Sequence, residues 1–315
     1  MAWSLASLFV VGICAVACFT LACVPRSNAA VSAADSAPAT VRQPRTFLWA
    51  IEARKSKGDS DSDADADASP VTYVLADDGT VLSQSAGIHV WAAGTEWSSE
   101  ATEETVPTTP CTGGPDLAAQ GGRGVRVRLV AVDGSQPPLE LVAPSTDDQA
   151  NEVDQSARLL ASLGPYLFVE ESTYAYTCGA HGNTGVSFAV WNVDERRKVD
   201  LLSDLPDRQA LLAAGKRAID ARPDAVDFSR PQDPPTLTEI LPRIGAHGHV
   251  EASALVSVPS CYACTDGGWS SYTVSTEVTT QLPWRLKALG QPPRAVGLFG
   301  DAHPGLTIGG YSRVP

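Results

Sequence analysis

Positive charge is scarce in this sequence of 315 residues, which holds 23 Lys and Arg against 36 Asp and Glu and carries a net charge of −13. Repulsion between such a chain and phosphate argues against a nucleic-acid partner. Charged residues make up only 19%, whereas 26 Gly and 23 Pro punctuate a chain that is 43% hydrophobic. This composition excludes collagen, coiled coil and whole-chain disorder, and is typical of a globular protein rich in strands and turns.

Catalytic signatures are also lacking. The nearest approach to a Gly-x-Ser-x-Gly nucleophile turn is the run from Gly185 to Ala189, which lacks the second glycine. Gly215 and Lys216 have no upstream phosphate-loop glycine, and there is no His-Glu-x-x-His pair. We therefore assign no catalytic residue and no cofactor, and the sequence leans away from an enzyme.

Two features have the residue types of a metal site but the wrong spacing or setting. Asp recurs at every second position from Asp59 to Asp67, yet the sixth and twelfth places of a calcium loop begun at Asp59 hold Ala64 and Pro70 instead of Gly and Glu. His247 and His249 would share a face only if they lay in a strand. We expect a solvated acidic loop in the first case and exposed turn residues in the second, and assign no metal ligand.

The N-terminus predicts export. The first 25 residues contain no charged side chain, and residues 5–24 are almost unbroken apolar sequence. Such a segment is an export signal, or an anchor, because about 17 to 25 apolar residues can span a bilayer. We expect the mature protein at the cell envelope, in the periplasm or on the outer surface, with membrane contact only through this N-terminal segment.

Cys23 is the candidate lipidation site. It follows Thr20-Leu21-Ala22, which resembles a bacterial lipobox with its Leu one place late. The alternative is that Cys23 is an ordinary apolar residue of a signal cut near Ala29 or Ala30. Residues 1–23 are thus a signal peptide or a lipoprotein signal.

The rest of the chain divides into a tether and a folded part. Residues 24–70 form a low-complexity acidic tether that we expect to be disordered apart from one candidate strand, Arg45 to Ala53. Residues 71–315 form a β-rich extracytoplasmic domain, with room for two subdomains joined near residues 222–235. This domain holds 17 basic and 29 acidic side chains, so most of the negative charge lies on it.

The pattern predicts an α+β fold with an antiparallel sheet and two short helices. The predicted helices are Thr146 to Leu163, which stops at Gly164-Pro165, and Pro206 to Ala221. Hairpins are predicted over residues 71–82 and 124–142, where Asp-Gly occupies the turns. Further strands are predicted over residues 166–176, 186–193, 250–258 and 271–280.

Four cysteines follow the signal segment, and an even number in an exported chain predicts disulfide bonds. They are Cys111, Cys178, Cys261 and Cys264. We expect Cys261 and Cys264 to be oxidised, with each other or with Cys178 taking one of them, and three pairings stay open. The alternative is a zinc site of three cysteines with His181, which would leave Cys111 alone.

One stretch resembles a known family. It runs from Tyr174 through Cys178-Gly-Ala-His181-Gly-Asn183, then along a strand to Asn192-Val-Asp194, and on to residues 201–205 before a helix. About 32 residues in this order are similar to the extracytoplasmic domain of unknown function in lysozyme-responsive anti-sigma factors and some peptidoglycan deacetylases. Cys178 departs from the family's glycine, and Glu195 to Lys198 departs from its turn.

The resemblance implies a candidate binding site made of His181, Asn183, Asn192 and Asp194. It implies an exported, non-enzymatic binding or sensing protein, with a basic lysozyme-type protein or cell-wall glycan as the ligand. The alternative is that His181 and Asp194 form a structural turn clamp that binds no ligand. Two other functions stay open: a secreted hydrolase that uses His181 with Asp194, and a structural envelope lipoprotein.

Overall fold

A computed structural model describes residues 44–52, 69–111, 121–145, 150–178, 182–222, 234–259 and 273–314. The signal segment with Cys23, most of the tether, His181, Cys261 and Cys264 lie outside these residues. The strands are β1 (Arg45–Glu52), β2 (Val71–Ala76), β3 (Val81–Ala86), β4 (His89–Ala92), β5 (Thr95–Val106), β6 (Gly121–Ala131), β7 (Leu139–Val142), β8 (Glu152–Leu163), β9 (Tyr166–Tyr176), β10 (Asn183–Asn192), β11 (Arg197–Val199), β12 (Thr236–Ile244), β13 (Val250–Pro259), β14 (Thr273–Thr280) and β15 (Leu306–Val314); the helices are α1 (Arg208–Asp220) and α2 (Arg294–Ala302).

Twelve strands form one large sheet whose main path runs β11-β10-β9-β8-β15-β1-β2-β3. A branch leaves this path at β8, where β6 pairs with the start of β8. In this branch β6 also pairs with β5 and β7, and β5 pairs with β4. Both β6 and β15 run parallel to β8, and the other pairs are antiparallel. The expectation of an antiparallel sheet is therefore confirmed in part: the small sheet β12-β13-β14 is antiparallel, whereas the large sheet is mixed.

The large sheet is buried on both faces. Neighbouring side chains in β1 point to opposite faces, so Leu48 and Trp49 join different core clusters. Leu48 packs in the cluster that contains Ile240 of the antiparallel sheet β12-β13-β14 and Phe299 of α2. Trp49 packs with Trp97 and the branch strands on the other side. These layers make Gln43–Pro315 one compact unit.

The first predicted helix, Thr146 to Leu163, is wrong. Residues 152–163 form β8, and β9 pairs with it along its length. Val153, Ala157 and Leu160 lie at a spacing that also fits a helix stripe, so the short apolar run was ambiguous. Gly164, the expected helix stop, instead turns the chain from β8 into β9 with a φ of +58°.

Most of the other predicted elements are confirmed. The second helix is α1, the candidate strand within the predicted tether is β1, and β9 has the predicted bounds. Four of the described strands and one helix were not predicted: β5, β11, β12, β15 and α2. Among the described residues, no helix is long and apolar enough to cross a membrane.

Candidate functional site

Three of the four predicted binding residues are described by the structure, and these three do not form one cluster. Asn183 is the first residue of β10 and Asn192 is the last. Nine residues of extended strand span roughly 30 Å, so the two side chains lie at opposite ends of the sheet. His181 lies outside the described residues, two positions before Asn183. Only Asn192 and Asp194 come together.

Asn192 closes the turn that follows β10. It is 5% exposed, and its Oδ1 accepts a hydrogen bond of 3.2 Å from the backbone N–H of Glu195. A side-chain amide that bonds the backbone a few residues ahead is a common way to fix a turn. The Asn192 side chain therefore has a structural role.

The Asp194 side chain contacts the turn of a different hairpin, the one formed by β4 and β5. Its Oδ1 accepts a hydrogen bond of 2.5 Å from the backbone N–H of Ala93. Ala93 and Gly94 have φ values of +50° and +72°, which is the backbone of a tight two-residue turn between β4 and β5. The Asp194 carboxylate stabilises this turn while the residue stays exposed at the surface.

Further contacts from Val193 and Arg196 hold the same region together. Arg196 donates to the carbonyls of Pro137 and Pro138, each at 3.1 Å, and its guanidinium lies 5.6 Å from the centre of the Trp97 ring. The N–H of Val193 donates to the carbonyl of Pro165 at 3.0 Å. Turns 93–94, 137–138, 164–165 and 193–196 therefore meet at one end of the sheet, which we call the Asp194 end.

A cavity of about 400 Å³ opens at the Asp194 end. Its wall is largely apolar and includes Trp91, Pro165 and Leu289, and the two charged side chains that line it are Asp194 and Arg313. Concave sites with mostly apolar walls and few charged groups are typical of small-ligand binding. A cavity of this size can accept a small group of a ligand.

Tyr166 follows Pro165, which lines this cavity, and the pKa of its phenol responds to charges on both sides. Burial raises the pKa of its phenol, the charge of Glu195 raises it further, and Arg285 acts in the opposite direction. Asp204 accepts hydrogen bonds from the Nε1 of Trp284 at 2.9 Å and from the Nε of Arg285 at 2.5 Å. Acidic, aromatic and cationic side chains thus converge beside the cavity.

The sequence analysis missed most of these converging side chains. Asp204 lies in the stretch that carries the family resemblance, but no role was attached to it. Trp284 follows Pro283 in the 3₁₀ segment Trp284–Leu289, and a lone aromatic residue after a proline gives no periodic signal. Only the fold brings this segment next to Asp204, 80 residues earlier in the chain.

A disulfide bond joins Cys111 to Cys178. This is one of the three pairings that the sequence left open, and it leaves Cys261 and Cys264, which lie outside the described residues. The zinc alternative required a thiolate at Cys178, and a disulfide sulfur cannot supply one. That alternative is therefore wrong for Cys178.

His247 and His249 each contact a different carboxylate. His247 lies in the 3₁₀ segment Ala246–Gly248 and contacts Asp301 at 2.9 Å, whereas His249 contacts Glu251 at 3.3 Å. Both imidazoles are exposed, as expected for turn residues. Within the described part of the chain, no group of three or more His, Cys, Asp or Glu side chains could hold a metal ion.

Comparison with known proteins adds little. No family model matches the sequence, and no curated protein matches it. Among solved structures, a DUF3298 family protein from Pseudomonas aeruginosa PAO1 is similar at 16% identity, over 64% of this chain and 96% of that chain, with a TM-score of 0.29. That protein belongs to an uncharacterised domain family, and a likeness at this TM-score carries no argument about fold or function.

Proposed function

We propose that this chain is an exported, non-enzymatic envelope protein that binds an extracellular ligand at the Asp194 end. The observation that carries the proposal is the convergence there of a cavity of about 400 Å³ with exposed charged and aromatic side chains. The ligand is a basic lysozyme-type protein or cell-wall glycan, and the resemblance of the stretch from Tyr174 to Leu205 to lysozyme-responsive domains supports this choice.

Export is supported by two features. The uncharged apolar start of the chain has the composition of a signal or anchor. The Cys111–Cys178 disulfide is consistent with an oxidising, extracellular or periplasmic location. In this proposal the protein is held at the envelope by acylation of Cys23 or by the uncleaved segment.

Charge favours a cationic ligand or one rich in hydrogen-bond donors. The whole chain carries a net charge of −13, and Asp194, Glu195 and Asp204 add carboxylates at the Asp194 end. Complementary charge speeds association and fixes orientation, and its effect falls with ionic strength.

A binding function also fits better than the hydrolase alternative. That alternative needs His181 and Asp194 in one cleft, but two residues of chain span at most about 7 Å and β10 spans roughly 30 Å. Asp194 already accepts a hydrogen bond from Ala93. A purely structural lipoprotein would need no cavity lined by charged groups, which supports the binding role over that third function.

Titration of the full-length chain against a cationic lysozyme and against peptidoglycan fragments tests the proposal. We expect micromolar binding of at least one of them, weaker at physiological than at low ionic strength for lysozyme. Glu195→Gln should weaken binding, because it removes a charge at the Asp194 end. Glu103→Gln is the matched control, since Glu103 lies eight residues along β5 from the Asp194 end, roughly 26 Å away. Absence of binding to both ligands contradicts the proposal.

A further inference from the structure

Trp284 is unusual among the exposed apolar side chains. The large hydrophobic residues that are exposed in the described part of the chain are Val81, Leu82, Val132, Val186 and Trp284, and Trp284 is the only aromatic one. It is 60% exposed. Large aromatic side chains contribute most when buried, so this exposed ring keeps surface that a ligand can bury.

The exposed indole is held in a fixed orientation. Its Nε1 donates to Oδ1 of Asp204, and the Nε of Arg285 donates to Oδ2 of the same carboxylate. The Asp204 side chain is only 11% exposed, so a largely buried carboxylate holds the indole in place. A backbone hydrogen bond of 2.9 Å from Leu286 to the carbonyl of Pro283 fixes the start of this 3₁₀ segment. Orientation in advance reduces the entropy lost on binding.

The position of Arg285 restricts the kind of ligand that can stack on the Trp284 ring. Its guanidinium lies 4.7 Å from the centre of the indole and occupies one face as a cation–π partner. A lysine or arginine of a basic protein would therefore approach a ring that already carries a cation. The other face of the indole can stack on a flat, apolar and uncharged part of a ligand.

We propose that the open face of Trp284 stacks on a pyranose ring of a saccharide, and that neighbouring polar groups bind its hydroxyls. The C–H face of a pyranose is apolar and packs on an aromatic ring, while its hydroxyls both donate and accept hydrogen bonds. The Asp204 carboxylate supplies acceptors and the Arg285 guanidinium supplies donors beside the ring. This inference rests on the proposed function and selects glycan, rather than a basic protein, as the ligand of this surface.

The test is calorimetric titration of the full-length chain with peptide-free glycan strands prepared from peptidoglycan. Trp284→Ala should weaken binding by about tenfold or more, as expected for a central aromatic contact. Trp284→Phe should retain most of the affinity, because a phenyl ring can still stack. Leu82→Ala is the matched control, since Leu82 is 51% exposed on the edge strand β3 and should leave the affinity unchanged.

The outcomes separate this inference from the proposed function. Full affinity of Trp284→Ala for the glycan overturns the stacking role and leaves the proposed function standing. Binding of lysozyme without any binding of glycan also overturns it and again leaves the proposed function standing. Failure of both ligands to bind the wild-type chain overturns both. Unchanged thermal unfolding of Trp284→Ala ensures that a loss of binding is not a loss of fold.

Discussion

At the scale of single residues, two glycines of β15 leave room for side chains of the neighbouring strands β1 and β8 at the centre of the large sheet. The Nε1 of Trp49 in β1 donates to the hydroxyl of Ser162 in β8 at 2.8 Å, and β15 lies between those strands. A Cβ at Gly309 would lie 2.1 Å from the Trp49 ring, and one at Gly310 would lie 2.0 Å from the Ser162 hydroxyl. No side chain fits at either position without displacing its neighbours.

Gly309→Ala should therefore destabilise the protein. Overpacking of a buried site costs about 1–3 kcal/mol in the free energy of unfolding. Thermal or denaturant unfolding measures this loss. Gly305→Ala is the control, because a Cβ there meets no atom within 4 Å. Equal stability of the Gly309 and Gly305 variants would show that the close contact with Trp49 is not made.

Glu239 in β12 gives a prediction about pH. Burial raises its pKa, Glu170 raises it further, and Arg158 acts in the opposite direction. A carboxyl whose pKa is raised by folding favours the folded state most at low pH, and this contribution is lost as the pH rises through the folded pKa. Glu239→Gln should therefore raise the melting temperature at pH 7, with a gain that shrinks as the pH falls toward 4.

Melting curves of wild type and Glu239→Gln at several pH values check this sign. Glu103→Gln is the comparison, because the Glu103 side chain is 70% exposed and its ion pair with Arg123, at 3.6 Å on the surface, contributes little to stability. A Glu239→Gln gain that is largest at pH 4 would contradict the burial argument.

Part of the candidate site could be predicted from the sequence. Asn192 and Asp194 were picked out from a local motif, and both lie at the Asp194 end. Their hydrogen bonds to Glu195 and Ala93 could not be predicted, because the second contact joins residues 101 positions apart. Trp284 was missed for the same reason, since its partner is distant in sequence.

At the scale of elements, β8 shows the limit of periodicity. Its apolar residues fit a helix stripe, and capping-type residues precede them, yet β9 and two parallel neighbours pair with this segment. Such pairing depends on strands that lie far away along the chain. By contrast, α1 and β9 were predicted well, because their patterns and end signals agreed.

The disulfide links the segment after β5 to the end of β9. Cys111 and Cys178 are 67 residues apart, so the bond restricts the unfolded chain considerably. Cys178→Ser should lower the free energy of unfolding by about 2–5 kcal/mol and visibly lower the melting temperature. Cys111→Ser should cost a similar amount, and the double variant should cost little more.

Calorimetric unfolding of the three cysteine variants measures these losses. Fully additive losses would show that the two cysteines act independently and that the bond is absent. A melting temperature of Cys178→Ser equal to that of the wild type would contradict a stabilising role for the bond.

At the scale of the whole molecule, the sheet-rich class was predictable and its connectivity was not. Composition and turn signals indicated many strands, and the structure has them. The centre of the sheet, however, pairs β1 with β15, so that Arg45 lies opposite Val314. No local pattern specifies a contact between the two ends of the folded chain, and β15 was absent from the prediction altogether.

The central claim is that a ligand binds at the Asp194 end, and hydrogen exchange of the full-length chain tests it most directly. Amide exchange is compared with and without saturating peptidoglycan fragments, and with and without cationic lysozyme. We predict slower exchange in turns 164–165 and 193–196 and in the segment Trp284–Leu289, with little change in the β2–β3 hairpin. Protection confined to other surfaces, such as the segment Ala246–Gly248, or no protection with either ligand, would contradict the account.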